Sequence, residues 1–154
     1  MSRKATRRKH RPLFDPLAAM RPIDPTKVRA DMDRNFLALD AMATQTGATR
    51  EQWAELSDCV NTVEMLIEMD EIDGDHMATS HGAIEAMVAC MRRHVDHGQP
   101  MRMEPPEVDK MRALLGLYHV CLERKPWMVI YRAQKACTER INKQMGAAHQ
   151  KAHA

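Results

Sequence analysis

Apolar residues recur along this chain at spacings of three and four, the period of helices buried on one side. Val28, Met32, Phe36, Leu39 and Ala43 form the first such stripe. Asp24-Pro25 supplies its start, a carboxylate N-cap before a proline at the first helical position, where no backbone N–H is required. The helix is expected to run to about Thr46, with Gly47 as a left-handed cap. Thr49-Arg50-Glu51-Gln52 is a capping box that opens a second helix. Its inward positions are Trp53, Leu56, Val60, Val63, Leu66 or Ile67, and Met69, and Gly74 is expected to end or kink it. A third helix is predicted from roughly Asp75 to Val95, packing through Met77, Ile84, Met87, Met91 and Val95 and capped by Gly98.

Three prolines make a loop of residues 99–106. A fourth helix is expected from Glu107 to about Lys125, with Val108, Met111, Leu115, Tyr118 and Leu122 as its stripe. Gly116 lies inside it at a cost of about 1 kcal/mol against alanine, which close approach of a neighbouring helix would explain. Pro126 introduces a fifth helix, Trp127 to Met145, with Ile130, Ala133, Cys137 and Ile141 inward and Gly146 as its end. No run alternates as a half-buried strand does, and no motif repeats along the chain. The expected fold is all-α: a helical bundle of about five helices over residues 25–146. A basic, proline-punctuated arm over 1–24 precedes it, and a frayed tail over 147–154 follows.

Composition agrees with that picture. A chain of 154 residues with 44% hydrophobic content is large enough for one domain with an ordinary core. Aromatics are scarce at 4% while methionine reaches 14, so the core is expected to be filled by flexible Met beside Leu, Val, Ile and Ala. Trp53 and Trp127, each opening a helix, are read as core anchors. The four cysteines at 59, 90, 121 and 137 make no Cys-x-x-Cys pair, which suits buried free thiols in a reducing compartment. Ala113–Leu122, the longest nearly apolar stretch, is too short to span a bilayer. A cytoplasmic protein without membrane contact is expected.

Charge changes the picture more. Arg3, Lys4, Arg7, Arg8, Lys9 and Arg11 crowd the first eleven residues, which hold no acid. The remainder keeps 17 Lys+Arg against 21 Asp+Glu, a net of −4. Such a cationic segment neutralises phosphates and gives salt-dependent, sequence-independent affinity, so the six residues are the candidate nucleic-acid contacts. Pro12, Pro16 and Pro22 favour an extended course, and Leu13, Phe14, Leu17 and Met20 are expected to pin its second half to the bundle. Arg124, Lys125, Arg132, Lys135, Arg140 and Lys143 form a candidate secondary basic patch near the last helix. They either extend the phosphate footprint or pair with residues 51–75, which carry nine acids and no Lys or Arg.

Cys90, His94 and His97 share one helical face and offer zinc- or copper-type ligands, yet no second ligand group with metal spacing accompanies them. Imidazoles in a last helical turn also serve the negative end of the helix dipole, and that account is preferred. The acidic run around Gly74 lacks the alternating ligands of a calcium loop, and no Glu-x-x-His signature of a di-iron bundle occurs. Three serines without a nucleophile elbow, and no phosphate-cradling glycine loop, leave no catalytic constellation. Neither an enzyme nor a cofactor is expected.

Three stretches carry a resemblance: His10-Arg11-Pro12, Leu56-x-Asp58-x-x-Asn61, and Leu114 and Tyr118 running into Pro126 and Tyr131. These short matches, spread over most of the chain, resemble a group of small proteins of temperate phages and prophages of proteobacteria. That group carries no assigned activity, so the resemblance implies a setting inside a bacterial host cell. The basic opening is similar in composition to the arginine-rich segment of phage antitermination proteins, which bind an RNA hairpin. Two functions follow as expectations. One is a non-enzymatic regulator binding a host nucleic-acid or ribonucleoprotein complex through the basic arm. The other is a protein-binding inhibitor or adaptor that uses the acidic helix 51–75 or a Met-rich face.

Overall fold

The computed structural model describes residues 16–152 and is an all-α bundle. A helical turn α1 (Pro16–Ala19) leads into five long helices: α2 (Pro25–Ala43), α3 (Arg50–Glu68), α4 (Met77–His97), α5 (Pro105–Arg124) and α6 (Trp127–Ala152). A 3₁₀ turn, Gly74–His76, precedes α4. Helices α3 and α5 form the centre, α2 and α4 flank them, and α6 lies mainly along α3. Leu56, Val63 and Leu66 of α3 meet Met111, Leu114 and Leu115 of α5, all essentially inaccessible, with Leu39 and Met42 of α2 closing one side. Met42, Met65, Met87, Met103 and Met111 are buried, so methionine fills much of this interior.

The helix starts follow their caps. The Asp24 carboxylate accepts from the Thr26 N–H at 2.8 Å. Thr49 and Gln52 exchange both hydrogen bonds of a capping box, at 3.3 and 2.9 Å. Helix α5 begins at Pro105, two residues before the expected Glu107, because prolines in a first turn lack only N–H groups that the helix leaves unbonded. Glu107 instead caps that turn, its carboxylate accepting from the Glu104 N–H at 2.8 Å and from Arg93 at 2.9 Å.

The ends depart further from expectation. Helix α2 stops at Ala43 with an extended Thr44 cap, and Gly47 sits beyond it at φ +74°. A Cβ on Gly47 would lie 2.7 Å from the Met101 carbonyl, to which the Ala48 N–H donates at 2.8 Å, so the glycine lets two loops touch. Helix α3 ends at Glu68, not near Gly74. Asp70 takes the left-handed conformation (φ 55°), and the Glu71 and Asp70 N–H groups reach back to the carbonyls of Leu66 and Ile67 in a Schellman motif. Gly98 caps α4 at φ 64° as expected. Gly116 has open space around it, which removes close helix approach as its reason. Gly146 does not end α6, which continues to Ala152 through most of the expected frayed tail.

Part of the expected arm belongs to the bundle. Pro22 pairs with Pro126 as an isolated bridge, and the Trp127 N–H donates to the Arg21 carbonyl at 3.1 Å. Leu17 and Met20, expected to pin the segment, are exposed, whereas Ala19 is buried and Ile23 packs on the core. Leu13 and Phe14 lie outside the described residues.

Candidate nucleic-acid interface

Arg3, Lys4, Arg7, Arg8, Lys9 and Arg11 lie outside the described residues, so the bundle is informative about what surrounds their point of attachment and which other charges are already engaged. Of the secondary basic patch, three members turn toward the acidic side of α3. Arg132 reaches Glu71 at 2.8 Å, Arg140 pairs with Glu64 at 3.7 Å and with Glu68, and the Lys125 ammonium donates to the Glu71 carbonyl. Lys135 approaches Glu139 on its own helix at 3.9 Å, while Arg124 and Lys143 are exposed. The structure thus brings Lys125, Arg132 and Arg140 together as partners of the α3 side, not as one outward surface. The nine acids of residues 51–75 are correspondingly depleted, Glu55 being taken by Arg34 at 3.3 Å. Asp58 is an exposed residue whose carboxyl is partly desolvated, which raises it above the ordinary aspartate range.

Cys90, His94 and His97 diverge. Cys90 is buried beneath α5, and that burial pushes its thiol up to about 11. His94 and His97 are exposed at the helix end, where the His94 Nδ1–H donates to the Gln99 carbonyl at 2.6 Å. Among the described residues, no three His, Cys, Asp or Glu side chains gather as a metal site. Burial also raises the thiols of Cys59, Cys121 and Cys137, so the four cysteines are held in their unreactive protonated form.

One polar group crosses the core between α2 and α5. The Asn35 amide lies 3.5 Å from His119 Nε2 and donates to Asp31 at 3.3 Å. His119 is buried between Phe36 and Tyr118, with ring centroids at 5.4 and 5.7 Å, and its Nδ1 finds no protein partner. Burial lowers its basicity, against a smaller opposite pull from Asp31 and Glu123.

Beside this group opens a cavity of about 310 Å³ that sequence reasoning missed. Ile23, Val28, Leu122 and Ile130 line its apolar part. Tyr118, Trp127 and Tyr131 bring three aromatic rings to it, and Lys27, Asp31 and Gln134 are its polar groups. Trp127 is 40% exposed and Tyr131 48%, one helical turn apart, with centroids at 5.7 Å and planes inclined by 54°. Trp127 is therefore not the expected core anchor, although Trp53 does pack against the core. The i, i+4 spacing of Trp127 and Tyr131 was the available signal, obscured because a helix opening on tryptophan reads as an inward stripe. Among the described residues no helix is long and apolar enough to cross a membrane.

Neither the family models nor the curated proteins nor the solved structures yield a match to this chain.

Proposed function

We propose that this chain is a non-enzymatic, phage-type regulatory protein acting in a bacterial cytoplasm. It binds a host nucleic-acid or ribonucleoprotein complex through the basic segment 1–11, for which the bundle is the scaffold. The observation that carries this reading is the concentration of positive charge in a stretch that holds no acid. Within the bundle Arg34, Arg93, Arg132 and Arg140 are engaged by carboxylates of the same chain. Six cations without a single acid stand in residues 1–11. A segment of that composition meets phosphate without first breaking ion pairs on its own stretch of sequence. The second reading, a protein inhibitor working through acidic residues 51–75 or a Met-rich face, is less favoured. Glu64, Glu68 and Glu71 are committed to α6, and many methionines are buried.

The test compares the full chain with a version starting at Leu13, titrated with an RNA hairpin and a DNA duplex over a range of salt. Six neutralised phosphates predict a slope of log affinity against log salt of about −5 on duplex DNA, flattened by the truncation. Undiminished affinity of the truncated chain, or salt-insensitive capture of a host protein by it, overturns the reading in favour of the second.

A further inference from the structure

Helix α5 holds the bundle together on three sides, and its fourth side is open among the described residues. Ala113, Gly116 and Val120 are exposed along that face, Val120 to 41%. A Cβ on Gly116 would meet no described atom within 4 Å, although the backbone there is ordinary helix that alanine would favour. Charged residues close both ends of the face: Asp109 and Arg112 before it, Glu123 and Arg124 after it, all exposed. We infer that this face packs on the same face of a second copy, the two α5 helices antiparallel about a two-fold axis beside Gly116.

Charge fixes the direction and the register. Antiparallel pairing of Asp109 with Arg124, and of Ala113 with Val120, is centred on one point between Gly116 and Leu117. Pairing of Arg112 with Glu123 is centred one residue further on, a shift of about 1.5 Å. Arg112 and Glu123 are about three turns apart and so lie on one side of the helix, and a two-fold axis sets like sides together. In a parallel pair Arg112 would face Arg112 and Glu123 would face Glu123. Opposite charges therefore meet at both ends in only one direction of approach, and the small centre lets the helix axes come close.

The partners are available for it. The Arg112–Asp109 pair, at 3.1 Å, is exposed at both members, and a guanidinium has donors for a further carboxylate. Glu123 borders a hollow of about 610 Å³ between α2 and α5, where Ile23, Val28 and Met32 are apolar and Asp33 is a second carboxylate. The stem of Arg112 from the second copy covers that apolar lining while its head meets Glu123. With two acids and two bases, the face offers no net charge to a nucleic acid or to a strongly charged protein.

The full chain is followed by sedimentation equilibrium from micromolar to millimolar concentration without nucleic acid, so the outcome is independent of the reading proposed above. The expected result is association toward twice 17.6 kDa. Gly116→Leu sets a large side chain beside the axis and should leave only monomer. Its urea midpoint should be kept or raised, since leucine is the better helix former in open space. Arg112→Glu should weaken association by about tenfold or more through opposed like charges, and adding Glu123→Arg should restore it. A mass of 17.6 kDa at every concentration overturns the inference. So does association that Gly116→Leu leaves intact, or a charge exchange that rescues nothing.

Discussion

Helices α5 and α6 are consecutive and both amphipathic, yet they stand in opposite relations to the fold. Helix α5 lies among α2, α3 and α4 and buries Val108, Met111, Leu114, Leu115, Tyr118, His119, Cys121 and Leu122. In α6 only Ile130 and Ala133 are fully buried among the described residues, and its cations reach sideways to α3. The difference separates two tasks. Packing on α5 holds the bundle, and α6 presents aromatic and charged groups without carrying much of the core. A helix with few buried apolar contacts is drawn from the low-stability end of a fold, where ligand contact is least constrained.

The sharpest way to break this contrast is a cavity on each helix. Leu114→Ala removes a fully buried side chain at the centre and should destabilise by about 2–5 kcal/mol, read as a fall in the urea midpoint. Ile141→Ala on α6, where Ile141 is 40% exposed, should cost well under about 1 kcal/mol. Comparable losses at the two positions would mean that α6 is as much part of the keel as α5.

The same contrast explains what the sequence disclosed. The α5 stripe was legible throughout because three neighbours surround that helix, so every periodic apolar position meets something. On α4 and α6 the period continued past the point where the partner helix ran alongside. Val95 and Ile141 sit on the expected face and are nonetheless exposed. Periodicity reports that a face is apolar, and only tertiary placement decides how far along it is covered. Glycines were ambiguous for a related reason. Gly98 occupies a left-handed cap, but Gly116 and Gly146 are ordinary helical residues tolerated at about 1 kcal/mol each, and Asp70 took the turn that Gly74 was expected to make. Of the candidate site, the basic segment was readable from composition alone. The cavity was not, because Ile23, Asp31, Tyr118 and Trp127 come from four separate stretches of chain.

A second, smaller effect distinguishes the helices by pH. His119 on α5 is buried and neutral, with Asp31 from α2 and Glu123 from its own helix the charged groups around it. Its basicity is lower folded than unfolded, so near neutral pH neither state is protonated and nothing is lost. As pH falls through the unfolded value of about 6.5, the unfolded chain takes the proton first and stability declines, by at most about 1.4 kcal/mol per pH unit. His119→Leu should flatten that decline between about pH 6.5 and 5 in urea titrations. Glu107 acts lower: its carboxyl is held below the ordinary glutamate range, despite desolvation, by Arg93 and the Glu104 N–H, so its contribution persists until pH falls below about 4.5. An undiminished slope in the His119 variant would assign the acid sensitivity in that range to a group other than His119.

The smallest expected effect bears most directly on whether α6 is free to change partners. Arg140 and Glu68 are 38% and 42% exposed, and pairs so placed typically couple by about 0.2–1 kcal/mol. A double-mutant cycle with Arg140→Ala and Glu68→Ala should return a value in that range, shrinking as salt is raised. Glu64, 3.7 Å from the same guanidinium, keeps some attraction in the Glu68 variant, so a triple variant including Glu64→Ala isolates the full contribution of the seam. A coupling near 0.5 kcal/mol means that a phosphate could displace the α3 carboxylates from Arg140 at little cost to the fold. Coupling of about 2 kcal/mol or more would fix Arg140 as a structural tie, confining phosphate contact to the basic segment.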